Sequence, residues 1–249
     1  MKKLILAAAI AASFAANFAF AEEAPKPDNE VSFNAAVSSD YRYRGISQSR
    51  LQPALSGGAD YVNNPSGFYA GTWLSTIKWI SDANSGSSKV ELDLYAGKRG
   101  DIAEGVGYDV GVLSYVYPSN GLNPSANTTE VYGQVGMGPA TLKYSHALTN
   151  LFGFVDSKNS GYLDASANID IAEGAQLNLH AGHQTVKGKG NGIYSYTDWK
   201  VGVTQDFGIV SASLALVGTN AQTGSYVGPG KDAKNLGKAA IVVAVSKTF

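Results

Sequence analysis

Charged residues alternate with tyrosines in the stretch DYRYRG, residues 40–45. Successive side chains of a strand point to opposite sides, so Asp40, Arg42 and Arg44 are expected on one face and Tyr41 and Tyr43 on the other. Same-face neighbours on a strand lie about 6.6 Å apart, which lets Asp40 pair with Arg42. This row of charges predicts either a constriction that filters solutes or a structural plug of ion pairs.

A second pair of acidic residues follows the same alternation in KVELDLYAG, residues 89–97. Glu91 and Asp93 fall on one face, and Val90, Leu92 and Leu94 fall on the other. Together with the charges of residues 40–44, these two carboxylates are the candidates for a charged constriction.

The three histidines do not form a convincing catalytic or metal site. His180 and His183 are three apart, and His146 directly follows Ser145, so on strands the members of each pair point to opposite faces. Neither a metal, nor a cofactor, nor a catalytic residue is predicted, and the chain is expected not to be an enzyme. A barrel enzyme that acts on lipid remains the less favoured alternative.

About twelve segments alternate between apolar and polar residues, as half-buried strands do. Short connections such as NNPSG and GMGP alternate with long ones such as YPSNGLNPSANTT. After the N-terminal segment, no apolar run approaches the roughly 20 residues that a spanning helix needs. The pattern predicts an all-β fold, a transmembrane antiparallel up-and-down β-barrel of about 12 strands with its long loops on one side.

The N-terminal residues predict export from the cytoplasm. Lys2 and Lys3 precede an apolar stretch that ends at the small-residue site Ala19-Phe20-Ala21, as in a secretory signal peptide. Residues 1–21 are therefore expected to be a cleaved signal peptide, 22–30 a flexible periplasmic leader, and 31–249 the barrel. The expected location is the bacterial outer membrane.

Composition excludes several classes of function. The chain has no cysteine, which excludes a disulfide framework, a thiol nucleophile and lipoprotein anchoring. Loss of Lys2 and Lys3 reduces the 19 basic residues to 17, against 20 acidic ones, so no nucleic-acid partner is expected.

In a membrane barrel the apolar face of each strand meets lipid and the polar face lines the lumen. With the N-terminus in the periplasm, the first strand, read as one alternating segment from 31 to 45, runs outward. Tyr41 and Tyr43 are then expected in the external aromatic girdle, and Arg44 near the external mouth of the lumen. The final residue, Phe249, resembles the aromatic assembly signal of outer-membrane barrels.

The predicted lumen is acidic on balance. Eight acidic residues outnumber five basic ones, which predicts a weak preference for cations. The acidic set is Asp40, Asp60, Glu91, Asp93, Asp109, Glu130, Asp164 and Asp198, and the basic set is Arg42, Arg44, Lys78, Lys143 and Lys200.

Several stretches resemble the TorF-type porin family of proteobacterial proteins: SDYRYRGISQS, PALSGGADY, SGFYAGTW, ELDLYAG and YVYP. These matches cover mainly residues 32–118. The resemblance implies an outer-membrane barrel with channel activity and no established substrate.

The sequence thus predicts a narrow porin for small hydrophilic solutes or ions that crosses the membrane through a charged lumen. The expected partners are outer-membrane lipid and lipopolysaccharide, the barrel-assembly machinery, and the solutes themselves. The alternative is a structural or lipopolysaccharide-interacting barrel without conductance.

Overall fold

A computed structural model describes residues 27–82, 86–228 and 233–249. The predicted signal peptide, residues 1–21, and the leader residues 22–26 lie outside the described part. β1 begins at Asn29, inside the stretch predicted as leader. No helix among the described residues is long and apolar enough to cross a membrane.

Twelve antiparallel strands form one closed barrel, which confirms the predicted fold class and strand number. Each strand pairs with its neighbours along the chain, and β1 closes the ring by pairing with both β4 and β14. The barrel strands are β1 Asn29–Ser38, β4 Ala54–Asn63, β5 Phe68–Thr76, β6 Val90–Ala103, β7 Val106–Val116, β8 Thr128–Met137, β9 Ala140–Ala147, β10 Gly161–Ala172, β11 Ala175–Thr185, β12 Tyr196–Asp206, β13 Ser211–Thr219 and β14 Ala240–Thr248.

Four short elements lie between the barrel strands. β2 (Arg42–Tyr43) and β3 (Ile46–Ser47) pair only with each other. α1 covers Trp79–Asp82, and a 3-10 helix covers Asn191–Tyr194.

Connection lengths divide the barrel into two ends. The short turns 64–67, 104–105, 138–139, 173–174 and 207–210 lie at one end, with the first residue of β1 and with Phe249; we call it the short-turn end. The long connections 39–53, 77–89, 117–127, 148–160, 186–195 and 220–239 lie at the other, the long-loop end. The alternation that the sequence predicts is therefore present.

The outer wall is apolar and the inner wall is polar. Phe33, Leu55, Leu163 and Val243 are among the exposed outer side chains. On the alternating positions of the same strands, Asn34, Ser56 and Asp164 face inward and are buried or half-buried. Since closure pairs the backbone groups of every barrel strand, this arrangement suits a hydrocarbon surrounding.

Candidate functional site

The chain leaves the barrel wall at Ser38 and turns inward, so the first strand does not run through to residue 45 as predicted. Residues 39–53, which we call the inner hairpin, fold back inside the long-loop end around the β2–β3 pair. Arg42 pairs with Ser47 and Tyr43 with Ile46, which leaves Arg44 and Gly45 as a two-residue turn. Both turn residues have positive φ, 46° and 77°, as the tight turns of twisted hairpins require.

Gly45 allows the hairpin tip to approach the barrel wall closely. A Cβ at this position would lie 2.5 Å from Thr219 Cγ2 and 2.7 Å from Asp198 Cβ. Only glycine combines this φ with this close approach.

Asp40 and Arg42 hold the hairpin together from within. They form a buried ion pair at 2.7 Å. Ser47 Oγ donates to the Asp40 carboxylate at 2.5 Å, and Ser49 Oγ donates to it at 3.1 Å. Arg42 Nη1 donates to the carbonyl oxygens of Gly45 (3.0 Å) and Lys238 (2.8 Å). These two charges therefore stabilise the hairpin and the loop beside it.

Arg44 fastens the tip of the hairpin to the barrel wall. Its guanidinium donates to both carboxylate oxygens of Glu130 on β8, at 2.7 and 3.1 Å, and to Gln184 Oε1 on β11, at 2.6 Å. It also lies over the rings of Tyr43 (4.7 Å) and Tyr162 (4.2 Å). The side chains of Arg44 and Glu130 are only 6% and 2% exposed, so the pair is shielded from water.

The expectation that Tyr41 and Tyr43 form the external aromatic girdle is wrong. Tyr41 donates from its hydroxyl to Glu91 on β6 at 2.5 Å, and the Tyr43 hydroxyl lies 2.5 Å from that of Tyr115 on β7. The cause is the inward turn after Ser38, which directs both faces of the hairpin toward protein. The exposed aromatic side chains on the outer wall nearest the long loops are instead Tyr144 and Trp199.

Burial keeps these phenols protonated. Burial raises the pKa of Tyr41 well above its usual value, and the neighbouring Glu91 carboxylate adds to the shift. Burial raises the pKa of Tyr117 in the same way, and Tyr117 donates to Glu91 at 2.8 Å. Glu91 thus accepts hydrogen bonds from two neutral hydroxyl groups, one in the hairpin and one in the loop after β7.

Glu91 and Asp93 share the inner face of β6, and they are 1% and 3% exposed. Asp93 Oδ1 has no hydrogen-bond partner within the described part of the chain. Of the five residues considered for the constriction, Asp40, Arg42, Arg44 and Glu91 thus belong to the hairpin or contact it. Asp93 lies on the wall two residues along the same face from Glu91.

Beside the hairpin tip and from there toward the short-turn end, charged groups line one side of the lumen. His180 lies between two carboxylates, with Nδ1 3.1 Å from Asp164 and Nε2 2.7 Å from Asp198. Lys143 lies 4.0 Å over the ring of Tyr132, and Tyr69 donates to Asp109 at 2.6 Å. Both ring nitrogens of His180 face carboxylates, so this histidine is poorly placed to act as a free base.

The opposite side of the lumen carries small inner side chains on β1, β4, β13 and β14. Ala54, Ser56 and Gly58 on β4 and Ala240, Ala244 and Ser246 on β14 all face inward.

Two details of the predicted lumen change. Lys78 lies exposed in the loop after β5 and bonds to Gln52, so it is not a lumenal charge. Arg99 lies on the inner face of β6, with its guanidinium 5.7 Å over the lumenal ring of Tyr69. Arg99 therefore replaces Lys78 among the five basic residues of the lumen. Among the described residues, no cluster of histidine, aspartate or glutamate side chains is arranged to hold a metal ion.

Sequence reasoning placed Glu130 in the lumen, but it missed the inner hairpin and its other partners on the wall, Tyr115, Tyr162 and Gln184. One signal was available: Arg44-Gly45 followed by the polar residues 47–50 is typical of a tight turn, which a strand crossing the membrane would not contain.

A protein-family model described as "Bacterial protein of unknown function (Gcw_chp)" matches residues 22–249. The chain belongs to this family. The Gcw_chp description carries no porin label, so the TorF-type resemblance stays a proposal. A search of curated proteins finds no match to this Gcw_chp chain.

Solved structures share the Gcw_chp barrel at low sequence identity. The "KdgM porin" superposes with a TM-score of 0.57 at 8% identity, over 88% of this chain and 99% of that one. The "KdgM porin in complex with disordered oligogalacturonate" superposes with a TM-score of 0.56 at 8% identity, over 88% and 98%. At this identity the similarity shows the fold.

Proposed function

We propose that the protein is an outer-membrane channel that passes small hydrophilic solutes or ions by diffusion. The observation that carries the proposal is a closed barrel with an apolar outer wall and a bore lined by charged and polar side chains. The likeness to the KdgM barrel, which is named as a porin, and the TorF-type resemblance both support this function.

The inner hairpin is the constriction of the proposed channel. It contacts β6 through Tyr41, β7 through Tyr43, and β8 and β11 through Arg44, so it reaches across the bore. A barrel of 12 strands is already narrow compared with porins of 16–18 strands. The constriction therefore suits small solutes. The inner hairpin then serves both as the structural plug of ion pairs and as the constriction that filters solutes.

Location and assembly follow from the same proposal. Residues 1–21 direct export, and the long loops face outward while the short turns face the periplasm. Phe249 is 67% exposed on the outer wall and its backbone pairs with Phe33, with an N–O distance of 2.8 Å. This position is open to the barrel-assembly machinery, and the apolar wall is open to lipid and lipopolysaccharide.

Orientation can be tested on intact cells. An epitope inserted at Thr223–Ser225 in a long loop should be accessible from outside, whereas one at Ser66 or Gly138 in a short turn should not. The reverse pattern would contradict the proposed orientation.

Planar-bilayer recording tests conduction directly. The wild-type protein should give small single-channel steps. A variant in which an Asn-Gly turn replaces residues 39–53 joins the paired residues Ser38 and Ala54, and it should give larger steps. Heat-modifiable migration on gels checks that both proteins are folded. Absence of conduction in both folded proteins would favour the alternative, a structural or lipopolysaccharide-interacting barrel.

A further inference from the structure

A cavity of ≈ 240 Å³ lies at the long-loop end, directly against the inner hairpin. Hairpin residues from Tyr43 to Gln48 form part of its lining, and the rest comes from the loops after β5, β7, β9 and β13 and from β11 and β12. Mouths of barrels are common places for ligand sites. Any solute that enters from this end meets the cavity before the constriction.

The lining is rich in aromatic rings drawn from two separate clusters. On one side, Trp79 packs edge-on to Tyr117 with ring centroids 5.3 Å apart. On the other, Tyr196 packs edge-on to Tyr226 at 5.2 Å. The aromatic residues of the lining are Tyr43, Trp79, Tyr117, Phe152, Phe154, Tyr196 and Tyr226.

The charged groups of the lining are already neutralised. Arg44 donates to Glu130 and Gln184, and Asp82 pairs with Arg50 at 2.5 Å. Among the described residues, an anionic solute would meet Asp82 without gaining a free cation. A cationic solute would be attracted by aromatic faces, but the Arg44 guanidinium already lies over Tyr43 and would repel it. Because burying an unpaired charge is costly, the cavity suits a neutral solute.

Several neutral polar groups of the lining have spare hydrogen-bonding capacity. The Tyr196 hydroxyl makes no hydrogen bond within the described residues. Gln48 donates through Nε2 to the carbonyl of Ile46, and its Oε1 accepts none from that part of the chain. Trp79 Nε1 is buried and has no partner there either. A solute that reaches this indole N–H must displace the ring slightly, which would alter its fluorescence.

We propose that this cavity binds a neutral sugar ring, the apolar faces against the aromatic side chains and the hydroxyl groups toward Tyr196, Gln48 and Trp79. A sugar ring has apolar C–H faces and an edge of hydroxyls that both donate and accept, which matches this lining. The volume is below the roughly 300–1,000 Å³ of clefts for drug-sized ligands, so one ring fits better than a chain. The inference names the solute class of the proposed channel and rests on that function for its physiological role.

Three sugars of one ring size but different charge test the site. The folded protein in detergent is titrated with D-glucose, D-glucuronate and D-glucosamine, with tryptophan fluorescence and calorimetry as readouts. Glucose should bind saturably, and the anionic and cationic sugars should bind at least about tenfold more weakly, since either charge would be buried unpaired. Equal binding of a charged sugar would overturn the neutral-solute argument, and no saturable binding of glucose would overturn the site.

Conservative variants separate this cavity from other sugar contacts. Trp79→Phe removes a buried N–H, and Tyr196→Phe a hydroxyl, that has no hydrogen-bond partner in the described part of the chain, so folding should be kept. Each should weaken glucose binding by about two- to tenfold, the scale of one neutral hydrogen bond. The control Trp199→Phe, on the outer wall, should bind as the wild type does. Unchanged affinity in both cavity variants would overturn the assignment.

The same titrations separate failure of the site from failure of the channel, because binding is measured without transport. A protein that conducts but binds no glucose contradicts the cavity assignment and leaves the channel standing. A protein that binds glucose but conducts nothing supports the site and contradicts the channel.

Discussion

At the scale of residues, two side chains and one glycine decide where the inner hairpin sits. Arg44 is paired with Glu130 in a place that water hardly reaches, and Gly45 lies against β12 and β13. Removing one partner of a buried ion pair leaves an uncompensated charge, which is much more damaging than losing a surface pair.

Arg44→Gln should release the hairpin from the wall. The unpaired Glu130 should destabilise this region by about 3–5 kcal/mol, while the barrel strands keep their backbone pairing. We expect a lower unfolding midpoint in urea and larger or noisier single-channel steps. The double variant Arg44→Gln/Glu130→Gln also removes the unpaired charge of Glu130 and should recover part of the stability. A single variant as stable as the wild type would contradict the anchoring role.

Gly45→Ala should destabilise the hairpin through both conformation and contact. A left-handed alanine costs about 1–2 kcal/mol, and the methyl group would press on Thr219 and Asp198. The matched control is Gly190→Ala, which has φ of +83° but no atom within 4 Å of the added Cβ. Urea unfolding should therefore show a larger loss of unfolding free energy for Gly45→Ala than for Gly190→Ala. The difference should be about 1–3 kcal/mol, the cost of overpacking. Equal losses would mean that the wall yields to the methyl group.

At the scale of elements, the last strand closes the barrel. β14 pairs with β13 and β1, and Phe249 continues the pairing with β1 through backbone hydrogen bonds to Phe33. The apolar outer side chains of β14, Ile241, Val243 and Val245, continue toward Phe249 at the short-turn end.

Deletion of Phe249 should lower the yield of assembled barrel in cells and leave unfolded protein in the periplasm. The physical reason is that an exposed terminal aromatic is a surface that the assembly machinery can bind. Heat-modifiable barrel in outer-membrane fractions measures the effect. Phe249→Tyr keeps the aromatic ring and serves as the control, and equal yields for deletion and wild type would show that Phe249 is not an assembly signal.

At the scale of the whole molecule, the charges of the bore set the expected ion preference. Arg99 replaces Lys78 among the five basic residues, so the eight acidic residues named from the sequence still outnumber them and the acidic excess persists. Rings of acidic side chains favour cations. Charges within the bore act at short range and are therefore only partly screened by salt.

Reversal potentials in a salt gradient should show a weak cation preference for the wild type. Asp109→Asn removes one negative charge from the bore and should reduce that preference, whereas Lys143→Gln removes a nearby positive charge and should increase it. The two variants are controls for each other because both side chains are largely buried in the lumen wall. If neither variant moves the reversal potential while conductance is intact, these residues lie outside the ion path.

The barrel was predictable from the sequence because its signals are local. Alternation along each strand decides which side chains share a face, and connection lengths decide which ends of the strands meet. Closure follows because hydrocarbon tolerates no unpaired strand edge. The strand number and the lumenal position of residues such as Asp164 and Asp198 needed no tertiary information.

Only the tertiary structure decided the path of residues 39–53 and the environment of Tyr41 and Tyr43. The DYRYRG alternation fits a strand in lipid as well as a hairpin inside the bore, because both present two different faces. The contacts that choose the hairpin join residues far apart in sequence: Tyr41 to Glu91, 50 residues away, and Arg44 to Gln184, 140 residues away. These partners come together only when the barrel closes, so no local pattern contains them.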